Sequence, residues 1–404
     1  MNGPAAASPV GYREAVWSWT QHLRAGGATP WSGWTAAPEQ SVPAGWTMPG
    51  AAQLELVRRL AEQGTRHGPP FTGLADLALS RSGPGRGLAQ QPPAWPGATA
   101  SFGPQPTDPA DVPLEELLRA GVGVLTELLL DAPPRPEWPA PVHRRPGSRT
   151  PAFELAGAPV TLSAVRRGLA RAGHVEGGRD PRVVVVVEPV DRALFQAWSA
   201  RVQAGAAARW RGYAHRWAGR RALPPSADVT AMARHWADRV GADRVHLVVA
   251  TAPGTVAGRV CAVLGLTPSR RVRLTGEPPV LDLAPAAVDV LRRVNAVLDV
   301  RVPEDDRAAV RRTLGATLAA RSAGAAEGLT VPPQLRDRLR ERAERAVEEL
   351  TSAGYPVHGR LADAVPRFET LASHPRRADA LDLVVDACLT LAGVQQPSPE
   401  EGAP

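Results

Sequence analysis

Residues 182–188 read RVVVVVE, five consecutive valines with no polar residue among them. Side chains in a strand point to alternate faces, so an unbroken β-branched run has no face suited to water. Such a segment belongs in the middle of a parallel sheet covered by helices on both sides. Two other stretches fit beside it. FELA (153–156) leads into a helix signal at Pro159, and RVHLVVA (244–250) leads through TAPG into a helix closing at Gly265, with Pro268 beyond. After residue 188, Val190, Leu194, Trp198 and Val202 recur every four residues behind Pro189, the spacing of one helix face. The pattern predicts an α/β fold in which the strands 153–156, 183–188 and 244–250 share one parallel sheet with flanking helices.

The remainder divides around that sheet. Residues 8–80 hold the segment YREAVWSWTQHLRAGGATPWSGW, with four tryptophans in eighteen positions. Val16, Trp19 and Leu23 predict one helix, stopped by Gly26 and Pro30. Leu54, Val57 and Leu60 predict a second over 51–64. The tryptophans read as core anchors of a small helical domain, with sugar or base binding as the alternative. Residues 83–110 are rich in proline and glycine, and SGPGRG follows no recognisable strand, so the signal for a phosphate role there is weak. A helix is expected over 113–130, carrying Glu127 in its apolar end, and then seven prolines fall within 131–151. The expected organisation is a helical Trp-rich region over 1–130, an extended linker over 131–151, an α/β domain over 152–394 and a disordered tail over 395–404. Within the third, one helix opens at Pro285 through Val288, Leu291, Val294 and Leu298. Another spans 333–353 with Leu335, Leu339, Ala343, Val347 and Leu350 on one face, ended by Gly354 and Pro356.

The chain contains no lysine and no isoleucine, so all 47 basic residues are arginine. With abundant Ala, Gly and Pro, that usage points to a high-GC bacterial genome. It also excludes Schiff-base chemistry, pyridoxal phosphate attachment and a Walker-type lysine, each of which needs a primary amine. The net charge is +7 and the isoelectric point near 10.6. Arginine is interspersed with Glu and Asp in amphipathic helices, which favours solvated faces over a nucleic-acid footprint. No run of eighteen uncharged apolar residues predicts a membrane span. The first sixteen residues carry no basic region followed by an apolar one, and Cys261 and Cys388 read as separate buried thiols, so the cytoplasm is the expected compartment. Nine dispersed histidines with no HExxH or CxxC give no metal site, and His246 reads as a packed strand residue. No GxSxG elbow is present, and neither cysteine has a histidine beside it.

Three places carry candidate chemistry. GAPVTLSA (157–164) opens a helix after a strand, where backbone amides can hold an anion. Glu188 ends a strand that also leads into a helix. RWRGYAHRWAGRR (209–221) interleaves Arg209, Arg211, Arg216, Arg220 and Arg221 with Trp210, Tyr213 and Trp217. Arginine forks beside aromatic rings suit anionic glycans or single-stranded nucleic acid. The alternative is an amphipathic helix burying Trp210, Tyr213, Ala214 and Trp217 at i, i+3, i+4 and i+7.

Several segments arrive in an order that resembles the bacterial sulfotransferase-like family, relatives of the sulfotransferases using phosphoadenosine phosphosulfate (PAPS). They are RVHLVVATAPG, AGRVCAVLGLTP, VLRRVNAVLD (similar to an LLRRVN signature) and LTVPPQLRDRLRERAERAVEELTSAGYPVHGRLADAVP, and the resemblance covers about 150–366. It implies a P-loop sulfotransferase-like sheet. The family's cofactor loop is similar to G-x-P-K-T-G-T-T. Against it, Gly157, Pro159 and Thr161 persist and Ser163 keeps a hydroxyl, while Val160, Leu162 and Ala164 replace lysine, glycine and threonine. Registered on Trp198, the arginine and serine that hold the cofactor's 3′-phosphate become Glu188 and Gln196. The resemblance with these replacements implies a divergent member without PAPS-dependent catalysis, a pseudoenzyme acting as a binding or accessory protein in a setting such as cell-surface glycan assembly. Its partner would be an anionic glycan or a protein rather than nucleic acid, and it would hold no cofactor. Two alternatives stand beside it: an active sulfotransferase whose arginines rebuild the PAPS site, and a nucleic-acid-binding module using 209–221.

Overall fold

The structure, a computed structural model, describes residues 9–35, 41–64, 69–80, 91–94, 105–133, 151–220, 222–250, 253–266, 280–321, 328–368 and 372–394. The linker stretch 134–150 and the tail 395–404 lie outside the described residues. These residues form a mixed α/β protein of thirteen helices and four strands. In chain order they are α1 (Pro9–Arg24), α2 (Ala51–Gln63), α3 (Pro69–Ser80), α4 (Leu114–Asp131), β1 (Phe153–Ala156), α5 (Pro159–Arg171), β2 (Arg182–Val187), α6 (Val190–Gln203), α7 (Trp210–Ala218) and α8 (Val229–Val240). There follow β3 (Val245–Val249), α9 (Pro253–Leu264), α10 (Pro285–Arg301), α11 (Glu304–Arg321), α12 (Arg336–Ser352), β4 (Val357–His358) and α13 (Arg377–Leu391). Two compact units result: 1–133 with 297–301 and 376–404, and 134–296 with 302–375.

The first unit is helical. Val16, Trp19 and Leu23 of α1 and Leu54, Val57 and Leu60 of α2 are all buried, as their spacing requires. Trp19 and Trp31 are core anchors whose indole N–H groups donate to the carbonyls of Thr29 (2.9 Å) and Ala94 (2.6 Å). That settles the polar end of each ring inside an apolar core. The α/β domain was expected to continue to residue 394. In the structure α13 instead packs on α4 and α2 and groups with this first unit. Its Leu381, Val384, Val385 and Leu389 are buried. Gly121 of α4 permits the close approach, because a Cβ there would stand 2.7 Å from Val384 Cγ1.

The second unit is built on the sheet. Its strand order is β1-β2-β3-β4 and every pairing is parallel. The three strands expected from sequence thus lie in one sheet. The valine run alternates: Val184 and Val186 join Phe153, Leu155 and Val248 beneath Leu162, Val165 and Leu169 of α5 and Val256, Val260 and Leu264 of α9. Val183, Val185 and Val187 face the other way, with Leu247 and Val249, against Ala233 of α8 and Leu350 of α12. Both faces are therefore covered, as the run demands. The fourth strand is two residues long and had no sequence signal. It is held by backbone pairing, with the Leu247 N–H donating to the Pro356 carbonyl at 2.8 Å.

Leu247 sits on a central strand with no exposed surface. Leu247→Ala is expected to cost about 3 kcal/mol of stability by lost transfer energy and cavity formation, read as a lower urea midpoint at unchanged slope.

Candidate functional site

The carboxyl end of β1 turns sharply into α5. Gly157 has a φ of 149°, and a Cβ on it would lie 3.0 Å from the Val186 carbonyl oxygen and 3.1 Å from Val186 Cβ. The turn presses against β2 and needs glycine. Pro159 follows as the first residue of α5, where its missing N–H costs nothing. Ala158 is the N-cap and supplies no side-chain hydrogen bond. The open donor at Thr161 is satisfied from another helix: its N–H donates to Gln196 Oε1 of α6 at 3.0 Å. Thus the cap comes from Gln196 rather than from the local hydroxyls.

Those contacts close into a ring. The Thr161 hydroxyl donates to Glu188 Oε1 at 2.9 Å. The Gln196 amide donates to Thr161 Oγ1 at 3.0 Å and to Glu188 Oε2 at 2.8 Å. Thr161, Glu188 and Gln196 are all buried. Burial pushes the Glu188 carboxyl above the usual carboxylate range. The Thr161 hydroxyl, the Arg192 guanidinium and the Gln196 amide oppose that rise, and Asp282 adds to it. Two further carboxyls stand nearby. Asp191, only 4% exposed, is pushed up to about 6 by burial, against the Arg192 amide and the charges of Arg192 and Arg336. Asp282 is also raised by burial and countered by Arg192. Arg192 itself reaches Glu188 at 3.9 Å.

The structure therefore brings Gly157, Pro159, Thr161, Glu188 and Gln196 to one place. Val160 and Leu162 are buried, and Leu162 belongs to the core beneath α5 and α9. Ser163 is buried one turn into α5 with its hydroxyl unpartnered. The arginine group is separate from this ring. Arg209, Arg211, Arg216 and Arg220 are exposed on α7 and at its ends, and Arg221 lies outside the described residues. Trp210 and Tyr213 are buried, with the Trp210 N–H donating to the Thr330 carbonyl at 3.1 Å. Trp217, expected on the same buried face, is only half-buried, and the guanidinium of Arg220 lies over its ring at 5.3 Å.

Sequence reasoning missed Asp191, Arg192 and Asp282, whose grouping depends on how α6 meets the segment before α10. It also gave no role to Asn295. That buried side chain donates to the carbonyls of Val202 (2.7 Å) and Ala206 (3.1 Å), closing the end of α6. Arg292 and Arg293 both clamp Asp289. Among the described residues, no group of three or more His, Cys, Asp or Glu is placed to hold a metal ion, and no helix is long and apolar enough to cross a membrane. The chain matches no protein-family model, no curated protein and no solved structure.

Two outcomes are expected of this geometry. Gly157→Ala forces a Cβ against Val186 at a left-handed φ and lowers stability by about 1–3 kcal/mol, measured by denaturant unfolding. Asp191 binds its proton more tightly folded than unfolded, so its contribution is fully present below about pH 4 and lost as pH rises through about 6. Asp191→Asn keeps the acceptor for the Arg192 N–H and removes the charge. The variant is expected to exceed the wild type in stability at pH 8 by up to about 3 kcal/mol, with the gap closing near pH 4. A gap independent of pH excludes the buried charge as its cause.

Proposed function

We propose that this chain is a divergent sulfotransferase-like protein that has lost phosphosulfate-cofactor catalysis and acts as a binding or accessory protein. One observation carries the reading. The Glu188 carboxylate stands 2.9 Å from the Thr161 hydroxyl, at the first turn of α5, where the resemblance calls for a cationic partner to phosphate. The donors a phosphate would use are spent inside the protein: the Thr161 N–H on Gln196, and the Thr161 hydroxyl and Gln196 amide on Glu188. A dianion brought to contact distance of that carboxylate meets roughly 4 kcal/mol of repulsion per unit charge at an effective dielectric of 20. Lysine is missing from the whole chain, so the charge that develops on a leaving phosphate has no such partner. Val160 and Leu162 fill apolar space beside the turn.

Isothermal titration with phosphoadenosine phosphate tests this directly. No dissociation constant tighter than about 10 μM, near 7 kcal/mol of binding, is expected for the wild type. The double variant Val160→Lys with Glu188→Arg is expected to regain part of the affinity. Tight binding by the unmodified chain would overturn the reading and put the arginine-rebuilt enzyme in its place.

A further inference from the structure

Two histidines meet at the edge of the sheet. His246 of β3 shares a face with Val248, and β4 sets His358 opposite Val248, so both stand on the side covered by α9. Both are half-buried. His246 Nδ1 lies 3.1 Å from His358 Nε2. The ring centroids are 5.4 Å apart and the ring planes differ by 28°. The centroid separation exceeds the nitrogen gap by two ring radii, so the two nitrogens point at each other along the line between the rings. That is one N–H donated to one lone pair, and not two lone pairs converging on a metal ion.

The geometry limits how many protons the pair can hold. A neutral imidazole carries one N–H and one lone pair, so the bridge survives one added proton and no more. With both rings protonated, N–H faces N–H and like charges meet at contact. Little else secures β4. It contributes two residues to the ladder, its Val357 is exposed, and the chain turns away at Gly359, whose φ is 116°. The surrounding charges do not cancel a second proton. Arg182 at the start of β2 adds positive charge, and Asp243, in the turn before β3, opposes it. On α9, Arg259 is spent on the Val249 carbonyl at 2.8 Å, and burial pushes the Cys261 thiol up. Asp363, in the helical turn after β4, pairs with Arg367 at 4.0 Å, and Asp180 pairs with Arg244 at 3.5 Å. α8, with Arg234, His235, Asp238 and Arg239, covers the opposite face together with α12. Burial, His358 and Arg182 thus hold the His246 imidazole below its ordinary range, against Asp243.

We infer that the His246–His358 hydrogen bond is a pH-operated latch on the sheet edge, closed near neutrality and released when acid protonates both rings. Release frees β4 and bares the outer edge of β3, the strand inside it. An uncovered strand edge offers its N–H and C=O groups to another strand. The chain beyond β4 carries Leu361 and Ala364, which pack with Leu247 and Val249, so apolar surface is uncovered too. The folded pair takes up protons less readily than the unfolded chain. Its contribution is therefore complete above about pH 6.5 and is lost as pH falls below that. Asp191, raised by burial, acts in the opposite sense and gains stability in acid. The latch is independent of whether a phosphosulfate cofactor binds.

The test is amide hydrogen exchange on the full chain, read as protection factors so that the intrinsic effect of pH on exchange cancels. The reporting amide is Leu247, whose N–H donates to Pro356 at the edge. Its protection is expected to fall at least about tenfold between about pH 7.5 and about pH 5, while the β1–β2 ladder keeps its own. His358→Gln can still bond to His246 but cannot take a proton, so its protection at Leu247 is expected to stay level across that range. The side chain is half-buried at an edge, and the thermal melt of the variant near neutrality is expected to match the wild type. A second reading needs no variant: the ring resonances of His246 and His358 are expected to titrate in two separated steps, with protection lost at the lower one. Protection at Leu247 that is indifferent to pH in the wild type overturns the inference. So does a loss of the same size in His358→Gln, or two rings that titrate independently of each other.

Discussion

The architecture of the second unit follows from the need to hide β2 on both sides. Five valines with almost no exposed surface represent roughly 10 kcal/mol of transfer energy at about 2 kcal/mol each. That is comparable to the whole net stability of an ordinary domain. No single helix can cover a strand whose side chains point both ways. The chain meets the demand with α5 and α9 on one face and α8 and α12 on the other. Since α12 comes from far along the sequence, the sheet is completed by a long-range return. The residues that follow that helix supply the short edge strand β4.

The same strand delivers a difficulty at its end, because residue 188 is a glutamate in a position only 8% exposed. A carboxylate withdrawn from water without partners would be severely destabilising. The ring with Thr161 and Gln196 answers this with matched donors and acceptors. The threonine hydroxyl gives one hydrogen bond and accepts another, and the glutamine uses both its amide hydrogens and its oxygen. The ring also sits at the amino end of α5, where the helix dipole favours negative charge. In effect the protein supplies its own anion to a turn of the kind that elsewhere receives phosphate. A fully satisfied buried network resists replacement, because exchanging one member strands the others. The geometry that stabilises the fold is thus the geometry that closes the turn to a ligand.

How much of this was legible beforehand varied with range. The sheet could be read because β-branched runs and the helix signals after them are local. β4 could not, since two residues carry no periodicity and Val357 owes its place to Leu247 across the ladder. Residues Gly157, Thr161, Glu188 and Gln196 were found through a resemblance, and their joining into one ring depends on α5 meeting α6. Nothing in the spacing announces that Gln196 caps a helix it does not belong to. Trp217 shows a different limit. Helical spacing assigns it to the buried face, but an arginine three residues on takes over part of the covering that the core was expected to provide.

An all-arginine complement sharpens the question of where unpaired charge is left. Guanidinium stays protonated, so a crowded patch cannot relieve itself by losing protons as lysines can. Elsewhere in the second unit arginine is spent on carboxylates, as in Arg166 with Glu176 and in the double clamp of Arg292 and Arg293 on Asp289. On α12 the arginines alternate with Asp337, Glu341, Glu344, Glu348 and Glu349, and Arg340 pairs with Asp337 at 3.6 Å. Like charges gathered within a Debye length repel one another, which costs stability unless counter-ions or an anionic partner attend them. Alternating the two signs along a helix, as α12 does over 336–349, relieves that repulsion without any partner.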